Sequence, residues 1–255
     1  MTRRNRNMGT VKLCIASAIL TAGMSIPAQS EEFTLGGTTA FTTNYVFRGV
    51  SQTNNNPAVQ ASLDAGYGIF YAGIWGSNVD FGGGPFGQDI ATVEIDYYAG
   101  IAPEWQGISF DIAGLYYTYP GAYDPAGNFD YFELKTGASY TFGEAFTVGV
   151  ANYWTPDYSG EIGDGDALEF SAEYAFGGKL FNFFTPSVSG LVGRQWTEVV
   201  DFTYWNAGLT LGFMDNFAAD IRYWDTDLSD AGCAGFIGSA NNCDSRVVGT
   251  ISASF

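Results

Sequence analysis

No histidine occurs among the 255 residues of the chain. Without an imidazole, Ser-His-Asp and Asp-His catalysis is excluded, and with it the phospholipases and proteases built on barrels of this size. The commonest transition-metal ligand is missing too, so we expect no metal centre and no cofactor. Basic residues are scarce, ten against 27 acids, which argues against a nucleic-acid partner because phosphates require a basic surface. Past the N-terminal segment no run of about 18 apolar residues occurs, which excludes helical membrane spans. Disorder is excluded in turn by an aromatic content of 17%.

What is present begins with a leader. Arg3, Arg4, Arg6 and Lys12 precede an apolar run over residues 13–26, followed by Pro27 and small residues at Ala28 and Ser30. This is the pattern of a cleaved secretory signal peptide over residues 1–30, with cleavage expected after Ser30. Cys14 lies inside it without the small residues of a lipoprotein cleavage box. Removing the leader leaves six bases against 27 acids, a net charge of −21 for residues 31–255, which form one expected domain. Cys233 and Cys243 remain in an exported chain, spaced by Gly, Ala and Asn, and pair as an expected loop disulfide, two free thiols being the alternative. A thiol-disulfide enzyme would hold its pair two residues apart instead of ten.

Alternation with period two recurs through the rest of the chain. In residues 167–176, Leu168, Phe170, Ala172, Tyr174 and Phe176 share one face and Glu169, Ser171 and Glu173 the other. Twelve such segments centre near residues 45, 62, 73, 96, 113, 136, 150, 171, 190, 208, 221 and 250. Their connections tend to alternate between short turns and long Gly- and Asp-rich loops; the short link at residues 198–201 and the long one at 177–183 break the pattern. A soluble sandwich has no reason to sort loops by parity, whereas a membrane barrel has tight periplasmic turns and long outer loops. The expected fold is therefore all-β, a closed antiparallel up-and-down transmembrane β-barrel of about 12 strands in the cell outer membrane. Its last strand alternates Gly249, Ile251, Ala253 and Phe255 with Thr250, Ser252 and Ser254. Bacterial outer-membrane proteins end similarly, on an aromatic that the barrel assembly machinery reads, so that machinery, outer-membrane lipid and lipopolysaccharide are the expected partners.

Energy decides which face meets lipid. A charge at the bilayer midplane costs roughly 2–4 kcal/mol for Arg or Lys, and less for Asp or Glu. The charged parity is assigned to the lumen: Asp64, Glu94, Asp96, Asp111, Glu133, Lys135, Glu169, Glu173, Asp220 and Arg222, with Arg48 and Arg246 as further bases. Eight acids against four bases favour cations in an open lumen. Tyr71, Trp75, Tyr116, Trp154, Trp205, Tyr223 and Trp224 are expected in interfacial girdles. Carboxylates two residues apart, such as Glu94 and Asp96, recur along several strands and fit a selectivity surface better than an acid–base pair. Two loops are oxygen-rich (Asp157, Glu161, Asp164 and Asp166; Asp225, Asp227 and Asp230), but neither matches a helix-flanked calcium loop with its terminal Glu.

The stretch FTTNYVFRGVSQT at residues 41–53, then PAVQASLDAGY, WGSNVDF, EIDYYAG, NYWTPDYSGE and LEFSAEYAF, resembles the Gcw_chp family of uncharacterised exported proteobacterial proteins. The run Tyr45-Val46-Phe47-Arg48-Gly49-Val50-Ser51-Gln52 is the most specific part. The resemblance implies an envelope β-barrel protein and supplies no activity or catalytic residues. The expected function is a narrow passive channel for small hydrophilic solutes with a cation preference. Its rivals are a non-conducting structural or adhesive barrel and a soluble periplasmic β-protein.

Overall fold

The computed structural model describes residues 30–83, 89–123 and 128–255. The expected signal peptide, apart from Ser30, lies outside these residues. Alternation does become strand: β1 (Ser30–Thr42), β2 (Ala58–Gly68), β3 (Phe70–Asn78), β4 (Val93–Ile101), β5 (Ile108–Thr118), β6 (Tyr131–Phe142), β7 (Phe146–Thr155), β8 (Gly165–Ala175), β9 (Thr185–Thr197), β10 (Phe202–Phe213), β11 (Phe217–Thr226) and β12 (Arg246–Ser254). Each pairs antiparallel with its sequence neighbours, and β12 returns to β1 with Thr42 opposite Thr250 and Thr38 opposite Ser254. The twelve strands thus close into a barrel. Beyond β12, Phe255 exchanges backbone hydrogen bonds with Gly37 at 3.0 and 3.1 Å, so the chain terminus finishes the seam.

Eleven of the segments marked by alternation coincide with a strand. The first does not. Residues around 45 do not form the opening strand, which lies upstream with Phe33, Leu35 and Phe41 turned outward and exposed. Residues 43–57 cannot continue it, because Arg48, Gly49, Asn54 and Asn55 all adopt positive φ and turn the chain back.

Ser30 and Phe255 lie at the end closed by the short connections. There Tyr67 opposes Phe70 across a two-residue turn led by Gly68 at φ 62°, a conformation that glycine takes without steric cost. Three-residue links follow at 143–145 and 214–216, and a longer one at 176–184. The opposite end carries residues 43–57, 79–83, 89–92, 119–123, 128–130, 156–164, 198–201 and 227–245.

Outward positions such as Leu63, Ile74, Phe132, Val150, Phe170, Val192 and Ile251 are exposed large hydrophobics, while neighbouring inward positions are buried or half-buried. Tyr116, Trp154, Trp205 and Tyr223 belong to the outward parity. Tyr71, Trp75 and Trp224 do not, which corrects the girdle expected of them. Tyr71 hydrogen-bonds Asp111, Trp75 packs on Tyr45 with ring centroids 5.3 Å apart, and Trp224 is buried with Val46 and Val248. An aromatic alone does not reveal its face; its parity relative to the charged residues does.

Inward rings are accommodated by missing side chains. A Cβ on Gly193 would lie 2.3 Å from the Tyr204 ring, opposite which it is registered. Gly193→Ala is therefore expected to displace Tyr204 and to destabilise the barrel by roughly 1–3 kcal/mol through overpacking. Urea unfolding of the refolded variant in detergent checks this.

Candidate functional site

The most specific sequence motif builds the centre of the interior. Val46–Phe47 and Val50–Ser51 pair as a miniature hairpin whose turn, Arg48-Gly49, has both residues at positive φ, as a tight two-residue turn requires. The hairpin enters the long-loop end of the barrel and delivers Arg48 to its interior. Arg48 Nη1 donates to Glu133 Oε1 at 2.7 Å and to Gln195 Oε1 at 2.9 Å, and Nη2 donates to Glu133 Oε2 at 2.8 Å. The guanidinium lies 4.7 Å from the Phe47 ring centroid and 4.9 Å from that of Tyr153. Arg48 is 3% exposed and Glu133 1%. Burial opposes the charge of Arg48, but the Glu133 carboxylate together with the Tyr204 and Tyr158 phenols holds the guanidinium above its ordinary range. Arg48 is thus a plug residue and not, as its sequence position led us to expect, a base on a barrel strand.

Every strand meets this layer with a buried inward side chain, from Thr42, Gln60, Ser77 and Glu94 round to Trp224 and Val248. Tyr45 donates to Glu94 Oε1 at 3.0 Å, and burial together with Glu94 holds its phenol well above its usual range, so it remains a donor. Val50 packs with Leu191, Phe202, Tyr204 and the two cysteines. Those cysteines form a disulfide with Cα atoms 6.0 Å apart, tying helix α1 (Asp230–Ile237) to the short helical turn Ala240–Cys243 over the hairpin. Asn55 joins the hairpin loop to this cap, donating to Asn241 O at 3.2 Å and accepting from Arg246 Nη1 at 2.5 Å. Arg246 therefore belongs to the loop cap, which corrects its assignment to the lumen: at the first position of β12 its long side chain reaches the loops more easily than the interior.

The remaining charged positions all lie on the inward parity, with Asp64, Asp111 and Glu173 half-buried and Glu94, Asp96, Glu133, Lys135, Glu169, Asp220 and Arg222 buried. Several are paired. Lys135 Nζ is 2.7 Å from Asp111 Oδ2, while Tyr71 donates to Asp111 Oδ1. Arg222 reaches Asp220 at 3.0 Å, Asn206 at 2.7 Å and Ser189 at 2.9 Å. Tyr204 donates to Glu169 at 2.7 Å, and Tyr98 donates to Asp64. With Arg48 included, the inward set counts eight acids against three bases. Tyrosine was the class of partner not anticipated from the sequence: Tyr71, Tyr98, Tyr117 and Tyr204 each donate to an acid. Their parity, shared with the acids, was the available signal.

Beside Asp220, Arg222 and Thr42 lies a cavity of about 20 Å³, room for roughly one water. Among the described residues no three acidic or cysteine side chains converge as a metal centre. In the acidic loops, Asp157 and Asp227 instead accept from the backbone N–H groups of Gly163 and Thr203.

Residues 27–255 match the family described as "Bacterial protein of unknown function (Gcw_chp)". The chain belongs to the Gcw_chp family. Its fold is that of solved porins: a KdgM porin is similar with a TM-score of 0.56 at 6% identity, covering 86% of this chain and 99% of that one. A second, "KdgM porin in complex with disordered oligogalacturonate", has a TM-score of 0.54 at 7% identity, covering 87% and 98%. No curated protein sequence matches. At such identities the likeness concerns the fold alone.

Removing Glu133 leaves a guanidinium buried without a counter-charge. Glu133→Ala should cost roughly 3–5 kcal/mol, and Arg48→Ala added to it should cost clearly less than the sum of the two single changes. A double-mutant cycle on urea unfolding free energies reads the coupling.

Proposed function

We propose that this Gcw_chp protein is an outer-membrane, porin-like barrel shut at its long-loop end by the Arg48 hairpin. With the hairpin displaced, it passes small hydrophilic solutes, cations in preference to anions. The observation that carries this is the sorting of faces. The outer wall presents exposed Phe, Leu, Ile and Val, which water disfavours and lipid accepts, while eight acids and three bases face inward. That outer wall also weighs against a soluble periplasmic protein. β1 begins at Ser30, where the leader is expected to end. Outer-membrane lipid and lipopolysaccharide are the proposed surroundings of the barrel, and the assembly machinery is the proposed reader of the strand closing on Phe255.

The oligogalacturonate named with one KdgM structure carries carboxylates, and an interior richer in acids than bases repels such a chain. We therefore do not extend that ligand to this protein. The acid excess supports cation preference, and the hairpin supports a closed resting state. A second proposal, a permanently non-conducting structural barrel, is favoured by how completely the Arg48–Glu133 pair is buried.

Planar-bilayer recording separates the two. Wild-type protein should open rarely, and Arg48→Ala should raise open probability at least tenfold with a cation-selective reversal potential. Folded barrels that show no conductance steps in either form would leave the structural barrel standing. The membrane location has its own test. Val192 faces outward near the middle of β9, so Val192→Lys should lower stability in lipid vesicles by roughly 2–4 kcal/mol. Stability equal to wild type would place that face outside the hydrocarbon.

A further inference from the structure

Glu94 and Asp96 lie two residues apart on the inward face of β4, 2% and 5% exposed. The ion pairs among the described residues are Arg48–Glu133, Lys135–Asp111 and Arg222–Asp220, so no basic side chain neutralises these two acids. Tyr45 serves Glu94 Oε1, but Glu94 Oε2 and Asp96 Oδ1 are buried without a hydrogen-bond partner. Gln60 is also 2% exposed, and neither its Oε1 nor its Nε2 has a partner. Register places the amide in the same inward row as the acids, one strand removed: Gln60 opposes Ser77 on β3, and Ser77 opposes Glu94 on β4. One inward row across three adjacent strands thus holds a buried amide and a carboxylate, with a second carboxylate beside it.

Buried polar atoms are nearly always satisfied, and buried charge is paired. A water molecule could satisfy Gln60, but it cannot balance the negative charge that the two neighbouring acids carry when ionised. We propose that Glu94, Asp96 and the Oε1 of Gln60 form a binding site for one hard divalent cation of the calcium class. All the donors are oxygen, the charge of +2 matches the two carboxylates, and bidentate carboxylates with a few waters complete the six to eight ligands such an ion takes. The site lies beside the plug and is joined to it by Tyr45, which donates to Glu94 and packs on Trp75. Bound cation would hold the carboxylate that anchors this side of the hairpin, whether or not the barrel conducts.

The test uses the refolded barrel in detergent, stripped with EDTA and titrated with calcium chloride at constant ionic strength and pH. One calcium per chain is expected by calorimetry. The unfolding midpoint should rise by about 5–10 °C at free calcium roughly a hundredfold above the dissociation constant. Glu94→Gln combined with Asp96→Asn should abolish both responses. Should that variant fail to fold, Gln60→Leu is expected to weaken binding at least tenfold. A loop variant, Asp157→Asn with Asp164→Asn, should bind as wild type. No stoichiometric calcium in wild type would overturn the proposal in favour of a proton shared by the two acids. Binding lost only in the loop variant would overturn it in favour of the surface loops.

Discussion

A sheet whose outer wall is apolar and whose inner wall is charged has no stable edge. Left open, its last strands would present unpaired N–H and C=O groups with nothing in a hydrocarbon phase to receive them. Pairing of β1 with β12 removes the problem, and the rest of the molecule follows from it. Closure makes inside and outside distinct, converts strand parity into two environments, and gives every charged side chain the same destination. The backbone bonds of Phe255 to Gly37 extend the closure to the final residue.

Twelve strands enclose more space than side chains alone fill in an eight-stranded barrel, and less than the channel of a sixteen-stranded one. The interior resolves this in two ways. Toward the short-turn end it is polar and half-open, with Asp64, Asp111 and Glu173 partly accessible. Toward the long-loop end it is packed by tyrosines and by a hairpin borrowed from the loop after β1. Arg48 is the keystone of that packing because its planar fork meets Glu133 through two parallel bonds, which a lysine could not do. The disulfide-bonded cap lies over the same hairpin, through Val50 below and Asn55 beside it.

Much of this was legible from residue order. Alternation with acids on one parity located eleven strands, and the same parity keeps the ten charged positions together on one side of the sheet. The spacing of Cys233 and Cys243 in an exported chain was enough to expect their bond. The misplaced first strand shows where the method stops. Residues 45–51 alternate as a strand does, but the same pattern serves a hairpin buried on every side, where both faces find packing partners.

Pattern along the chain therefore determined that strands form, which face of each carries charge, and that the sheet had to close, because each of these depends on neighbours within a few residues and on the cost of placing charge in lipid. Which charges pair was decided only in three dimensions. Arg48 and Glu133 are 85 residues apart in sequence, and nothing local to either selects the other. Their meeting depends on the curvature of the closed barrel and the path of the folded-in loop. For the same reason the isolation of Glu94 and Asp96 from any base among the described residues became visible only once the nearby Arg48 and Lys135 had been given their partners.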